Sequence, residues 1–297
     1  MSFNHENLKV YQRTLLFNVK VGMLTSEWDS KHAICDHLSR AAASMLESIA
    51  LASAAYSSMK LRGLDYAIGS SLECAACLDL ARIKRLLDAK QVCAEKEELS
   101  QILRMQVGLR KSWANTAHVV REESAEYSTQ GEGIDKDCDK ARDKDCGEGI
   151  DKDCDKVRDK DCGEKVQFHH ERLDVYRVAM KVAETFCFSE PASRLPNPVF
   201  RRLDELLTSM VLNIAEGNGR FSDADQVRFL GTSHESAIKL AARLDLCVSR
   251  NLLPLDEVVG WKALLERVPV MTSSMIASIQ VCDCRQSLRQ SSRQSER

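Results

Sequence analysis

The first 190 residues contain no proline; all five prolines of this 297-residue chain lie at or after Pro191. No proline therefore interrupts a helix anywhere in that stretch. Aromatic residues make up only 5% of a chain that is 44% hydrophobic, so its cores must be built from Leu, Ala, Val, Ile and Met. Long apolar runs are missing as well: none approaches the ~18 residues of a membrane span, and the N-terminus lacks the basic, apolar and small-residue succession of a secretory signal. A cytoplasmic protein that does not cross a membrane is expected. An excess of one charge is also lacking. At a net charge of −2 the chain has no general attraction for a polyanion, and any nucleic-acid contact needs a local patch. Cysteine is the exception among the scarce types, with twelve residues. Four of them sit in a repetitive segment and no export signal accompanies them, so reduced thiols are expected rather than disulfides.

The sequence is a tandem duplication. His5 to Gln12 reads His-Glu-Asn-Leu-Lys-Val-Tyr-Gln, and 165 residues later His170 to Arg177 reads His-Glu-Arg-Leu-Asp-Val-Tyr-Arg. The same offset aligns Ser44–Ala50 with Ser209–Ala215. It becomes 166 further on, where Leu78-Asp79-Leu80 aligns with Leu244-Asp245-Leu246 and Leu86-Leu87 with Leu252-Leu253. Apolar residues in each copy recur at helical steps. Leu8, Tyr11, Leu15 and Val19 form the first stripe, answered by Leu173, Tyr176, Met180 and Ala183; Cys35, Leu38, Ala42, Met45 and Ile49 form the second. Four helices per copy are predicted, at about 5–26, 31–57, 60–89 and 95–125, and at about 169–188, 198–217, 223–251 and 255–281. Pro269 is expected to kink the last. The fold class is all-α: two tandem up-down four-helix bundles joined by a flexible repetitive linker.

Domain boundaries follow from composition. Residues 1–127 form a bundle that has lost part of its pattern, 128–166 a charged linker, 167–284 the second bundle, and 285–297 a mobile Ser/Gln/Arg-rich tail. Within the linker, Glu132–Gly147 and Glu148–Gly163 repeat one sixteen-residue unit in which Asp-Lys-Asp-Cys occurs twice, spacing Cys138, Cys146, Cys154 and Cys162 evenly. Asp135, Asp137, Asp139 and Asp143 have the spacing of a calcium loop. Lys140 stands where that loop needs glycine, however, and Cys146 where it needs a bidentate glutamate. No metal and no cofactor are expected.

The stretch Ser209–Ser222 organises the second copy. Phe200, Leu203, Leu207, Met210 and Ile214 stripe one helix; Gly217 and Gly219 are expected to end it in left-handed backbone; and Ser222 with Asp225 caps the next. Asn213, Glu216 and Arg220 read as a local hydrogen-bond network about the turn. The first copy has Ala-Leu-Ala-Ser-Ala at the corresponding place, so its second helix is expected to continue toward Ser57. Cys74-x-x-Cys77 lacks a second pair for zinc. Cys74 aligns with Leu240 and is read as core, while Cys77 aligns with Arg243 and is read as surface. No histidine stands in a nucleophile or metal pattern, and no catalytic residue is indicated.

Asn213-Ile214-Ala215-Glu216-Gly217-Asn218-Gly219-Arg220, followed by Phe229-Leu230, resembles the signature of the four-helix bundle proteins encoded in ribosomal RNA intervening sequences. That family includes the accessory variability determinant (Avd) of diversity-generating retroelements. The resemblance implies a non-enzymatic accessory protein that associates with RNA and a reverse transcriptase and assembles into a homo-oligomeric ring. The alternative is a self-associating helical scaffold that touches no nucleic acid. The candidate nucleic-acid surface is a basic stripe on the third helix of the second copy, where Arg228, Lys239, Arg243 and Arg250 fall within roughly 60° of one another, with Arg220 beside it at the turn. Glu235 falls on the same face. The corresponding residues of the first copy, Arg62, Glu73, Cys77 and Lys84, break the stripe, so charge reversal at Lys84 is expected to matter less for RNA than reversal at Arg250.

Overall fold

The computed structural model describes the backbone of residues 4–29, 31–54, 57–128, 157–158, 164–165 and 168–295, with side chains over 5–29, 31–54, 59–115 and 168–281. The protein is all-α. The first half contains α1 (Lys9–Ser26), α2 (Ile34–Ala54), α3 (Ser57–Ile83) and α4 (Ala89–Ser128). The second contains α5 (Asp174–Cys187), a one-turn α6 (Glu190–Ser193), α7 (Asn197–Asn218), α8 (Asp223–Ser249), α9 (Leu255–Leu265) and α10 (Arg267–Ser295). A short 3-10 turn precedes each half, Asn4–Asn7 and His169–Arg172. Between the halves Val157 pairs with Lys165 and Arg158 with Glu164 in antiparallel fashion. The Asp-Lys-Asp-Cys repeats, with their four cysteines and the calcium-like aspartates, lie outside the described residues. The backbone of α10 runs helically through the tail segment to Ser295.

In each half the helices pack in chain order and the last returns to the first. Arg13 of α1 reaches Glu98 of α4 at 2.8 Å. The stripe of α2 is buried as its spacing implies, with Leu38, Ala42, Met45 and Ile49 all inaccessible. That of α1 is not the expected one. The helix turns Val10, Thr14, Phe17 and Val21 inward, while Leu15 and Val19 remain 45% and 57% exposed. Two interleaved apolar stripes fit the helical period here, and the one containing bulky Phe17 faces the core.

Pro269 acts where it was expected to, but the helix breaks rather than bends. α9 ends at Leu265, whose carbonyl the Pro269 ring would strike, and α10 restarts at Arg267. The third helices of both halves end alike. Arg85 and Asn251, equivalent under the repeat, adopt left-handed backbone with φ of 57° and 54°. The next amides then reach back alike, Leu86 to Ala81 and Leu252 to Cys247.

The turn after α7 corrects the glycine expectation. Gly219 is right-handed, with φ −90° and ψ 0°, and neither glycine takes a positive φ. They are required for close approach instead. A Cβ on Gly217 would lie 3.0 Å from that of Phe229, and one on Gly219 would strike the Leu72 side chain. Ser222 does cap α8, accepting from the Asp225 amide at 3.5 Å. α2 is described to Ala54 and α3 from Ser57; the expected continuation of α2 toward Ser57 falls on residues 55 and 56, which lie outside the described residues.

The two halves pack against each other, α3 lying against α7 and α5. As a result α3 is buried on nearly every side. Its core face carries Ala67, Cys74, Leu78 and Ala81; its other face carries Leu72, Ala76, Cys77 and Leu80, all 5% exposed or less. The equivalent helix α8 buries a single stripe, Leu230, Ser233, Ala237, Leu240, Leu244 and Cys247. Cys77 is accordingly not a surface residue. Its Arg243 equivalent is exposed, but the second half covers Cys77, and burial pushes its thiol well up.

Candidate docking and nucleic-acid interface

Three polar clusters hold the halves together. Deepest is Lys84, the residue just after α3, whose side chain is wholly buried. Its Nζ pairs with Asp204 of α7 and donates to the Thr208 hydroxyl at 3.1 Å. The other Asp204 oxygen accepts the Ala33 amide at 3.0 Å. All four polar partners are satisfied, which such burial demands.

The second cluster joins α3 and α4 to the 3-10 turn and α5. Lys96 Nζ lies 2.7 Å from Asp79 and 2.6 Å from Glu171, and the Tyr176 hydroxyl donates to Asp79 at 3.1 Å. His170 is fully buried beside them, edge-on to the Tyr176 ring at 4.7 Å, with no hydrogen-bond partner for either ring nitrogen. Burial, then the Lys96 charge, pushes its pKa down to about 3. Asp79, His170 and Glu171 bring ligand atoms within 4.8 Å of one another, the spacing of a metal site. The Lys96 ammonium already sits between the two carboxylates and supplies the cation they need.

The signature residues form the third cluster. Arg220 pairs with Glu216, as expected of the local network. Asn213 does not reach the turn amides; its amide donates to the Ser209 carbonyl at 2.7 Å. Arg220 is 6% exposed, packed between the Tyr66 and Phe229 rings at 4.9 and 4.6 Å. A Cβ at Gly69 would lie 2.8 Å from its guanidinium carbon, so α3 gives way there to admit it. This arginine belongs to the contact between halves, away from the surface a polyanion could touch. Burial, then Glu73, raises Glu216 to about 7.

Of the remaining basic stripe on α8, Arg228 pairs with Asp225 at 3.4 Å and Lys239 with Glu235 at 2.9 Å. Arg243 and Arg250 are exposed, and no ion pair involves them among the described residues. Of the first-half equivalents only Arg62 is exposed. Cys77 and Lys84 lie buried against the second half, and Arg62 lines a cleft with Tyr66, Arg220 and Asp225. The stripe therefore occupies the face by which the other copy of the same helix holds a bundle.

The Lys96 cluster was not singled out by any sequence motif. The repeat nevertheless contains its signal: Glu171 and Tyr176 recur as Glu6 and Tyr11, and Asp79 and Lys96 as Asp245 and Lys262. Polar identities surviving in both copies at non-core positions mark a shared use.

Residues 6–108, about a third of the chain, match the model of a family described as 23S rRNA-intervening sequence protein. The matched segment is the half without the glycine signature. No curated protein and no solved structure matches.

Proposed function

We propose that the chain is a non-enzymatic protein that works by docking helix faces, with a helical protein partner seated on the exposed face of α8 and α9. One observation carries this reading: the same face of α3 and α4 already holds a helical bundle within the molecule. On α8 that face leaves Ile238 52% exposed, whereas its equivalent Leu72 is 5% exposed. Light scattering on the full chain from sub-micromolar to about 100 µM should show mass rising with concentration, as standard interfaces imply. A mass fixed at the monomer value throughout would overturn self-docking.

RNA is the second reading, favoured by the description of the matched family and by unpaired Arg243 and Arg250. By resemblance to Avd, a reverse transcriptase would be the protein partner. RNA affinity should then fall with salt, and Arg243→Glu with Arg250→Glu should lower the log–log slope by about two. Absence of salt-sensitive binding in the wild type, or indifference to the double reversal, would remove this reading.

A further inference from the structure

We infer that the cleft between α3 and the start of α8 takes a small phosphorylated ligand, a phosphate monoester or the free ion, clamped between the two halves. The first half supplies Arg62 and Tyr66, and the second supplies Arg220 and Ser222. At about 370 Å³ the cleft has the size of a small-molecule site. The sign of the ligand follows from which groups there are already paired. Asp65 accepts from Arg110 at 2.5 Å and Asp225 is held by Arg228 at 3.4 Å, so both carboxylates lining the cleft have their cations. The donors are not used up. Arg62 gives one hydrogen bond, to the Tyr66 hydroxyl at 3.2 Å, and has no carboxylate within ion-pair distance among the described residues.

Arg220 has spare donors as well. Its Nη2 is engaged by Glu216, but its Nε is buried without a hydrogen-bond partner in a residue only 6% exposed. Burying a cation in that condition is costly until an acceptor is supplied. Glu216, raised to about 7, is protonated in a sizeable share of molecules near neutral pH, which leaves the guanidinium short of negative charge. The rings of Tyr66 and Phe229 hold that guanidinium from both sides, and Arg110 stacks on Phe221 at 4.0 Å to fix the adjoining wall. The donors are thus in place before a ligand arrives. The 27-residue helix α8 adds to them, since it begins at the cleft behind Ser222. The amides of Asp223 and Ala224 have no acceptor within the helix, and its dipole favours negative charge at that end. Asp223 itself is exposed and does not line the cleft. Two guanidinium groups from different helices, together with helix amides, suit a tetrahedral oxyanion with acceptors on every side better than a flat carboxylate. A ligand held by both halves stabilises their packing in proportion to its occupancy.

The test is calorimetric titration of the full-length protein at pH 7.5 and constant ionic strength, with inorganic phosphate and with glycerol 3-phosphate as probes. One saturable site per chain is expected. Tighter binding of glycerol 3-phosphate would identify the occupant as a monoester, and tighter binding of the inorganic ion would identify it as free phosphate. Arg62→Glu alters an exposed side chain, so the variant should fold as the wild type does by circular dichroism. It should bind either probe about tenfold more weakly or worse, because a carboxylate then faces the anion. Arg62→Lys, which keeps the charge, should retain most of the affinity. Thermal unfolding gives a second readout: the probes should raise the melting temperature of the wild type and leave that of Arg62→Glu unchanged. Absence of saturable binding up to about 20 mM of either probe would overturn the inference. So would equal affinity in Arg62→Glu, or an equal thermal shift produced by chloride. Each of these results leaves the docking reading of α8 and α9 standing, since that face plays no part in the titration.

Discussion

Lys84→Met should destabilise the protein by about 3–5 kcal/mol, the usual cost of leaving one member of a buried ion pair without its partner. Asp204 is wholly buried and would keep only the Ala33 amide as donor once the ammonium is gone. Replacing both, Lys84→Met with Asp204→Leu, should recover most of the loss, because two apolar groups need no partners. Reversal at Lys84 is thus no mild control for reversal at Arg250, as the sequence suggested; it strikes the contact between halves. A chemical readout separates that contact from general unfolding. Cys77 faces the second half, while Cys247 lies within the second half's own core. In Lys84→Met, thiol labelling followed by peptide mapping should show Cys77 reacting faster and Cys247 unchanged under native conditions. A stability loss below about 1 kcal/mol would show that the pair does not hold the halves.

Helices and their order were legible because each half writes its apolar residues at the helical period, and the second punctuates them with Ser222, Pro269 and the two glycines. What periodicity could not decide was which of two stripes on α1 faces the core, since Leu15–Val19 and Phe17–Val21 both fit. Nor could it show that α3 is covered on its second face. That depends on the other half being present, and the signs of it are small: Gly69 and Cys77 where α8 has Glu235 and Arg243. Read as isolated helices, such residues look like a broken stripe. Read as a pair of copies, the loss of charge from one member marks the surface that became internal. Arg220 was missed for a related reason: a cation beside a turn reads as exposed until the rings of Tyr66 and Phe229 are placed around it.

The largest pH effect should come from His170. Its imidazole is neutral, inaccessible and without a hydrogen-bond partner, and its pKa falls from 6.5 to about 3 on folding. A depressed pKa means that the unfolded chain takes up the proton first. The stability associated with His170 is therefore complete above pH 6.5 and is lost as pH falls toward 3. At about 1.4 kcal/mol per unit, the loss between pH 6.5 and 5 is roughly 2 kcal/mol. Glu216 runs the other way. Its pKa rises to about 7, so its contribution is present below pH 4.5 and lost as pH rises through 7, which partly cancels the histidine in the wild-type curve. The difference between two proteins isolates the term. His170→Phe keeps a ring against Phe168 and Tyr176 and removes the titrating group. Denaturant unfolding at pH 7.5 and pH 5 should show the variant losing about 2 kcal/mol less than the wild type over that interval. Parallel pH dependence in the two proteins would mean that His170 finds a partner in solution and is not the buried, unpartnered group described above.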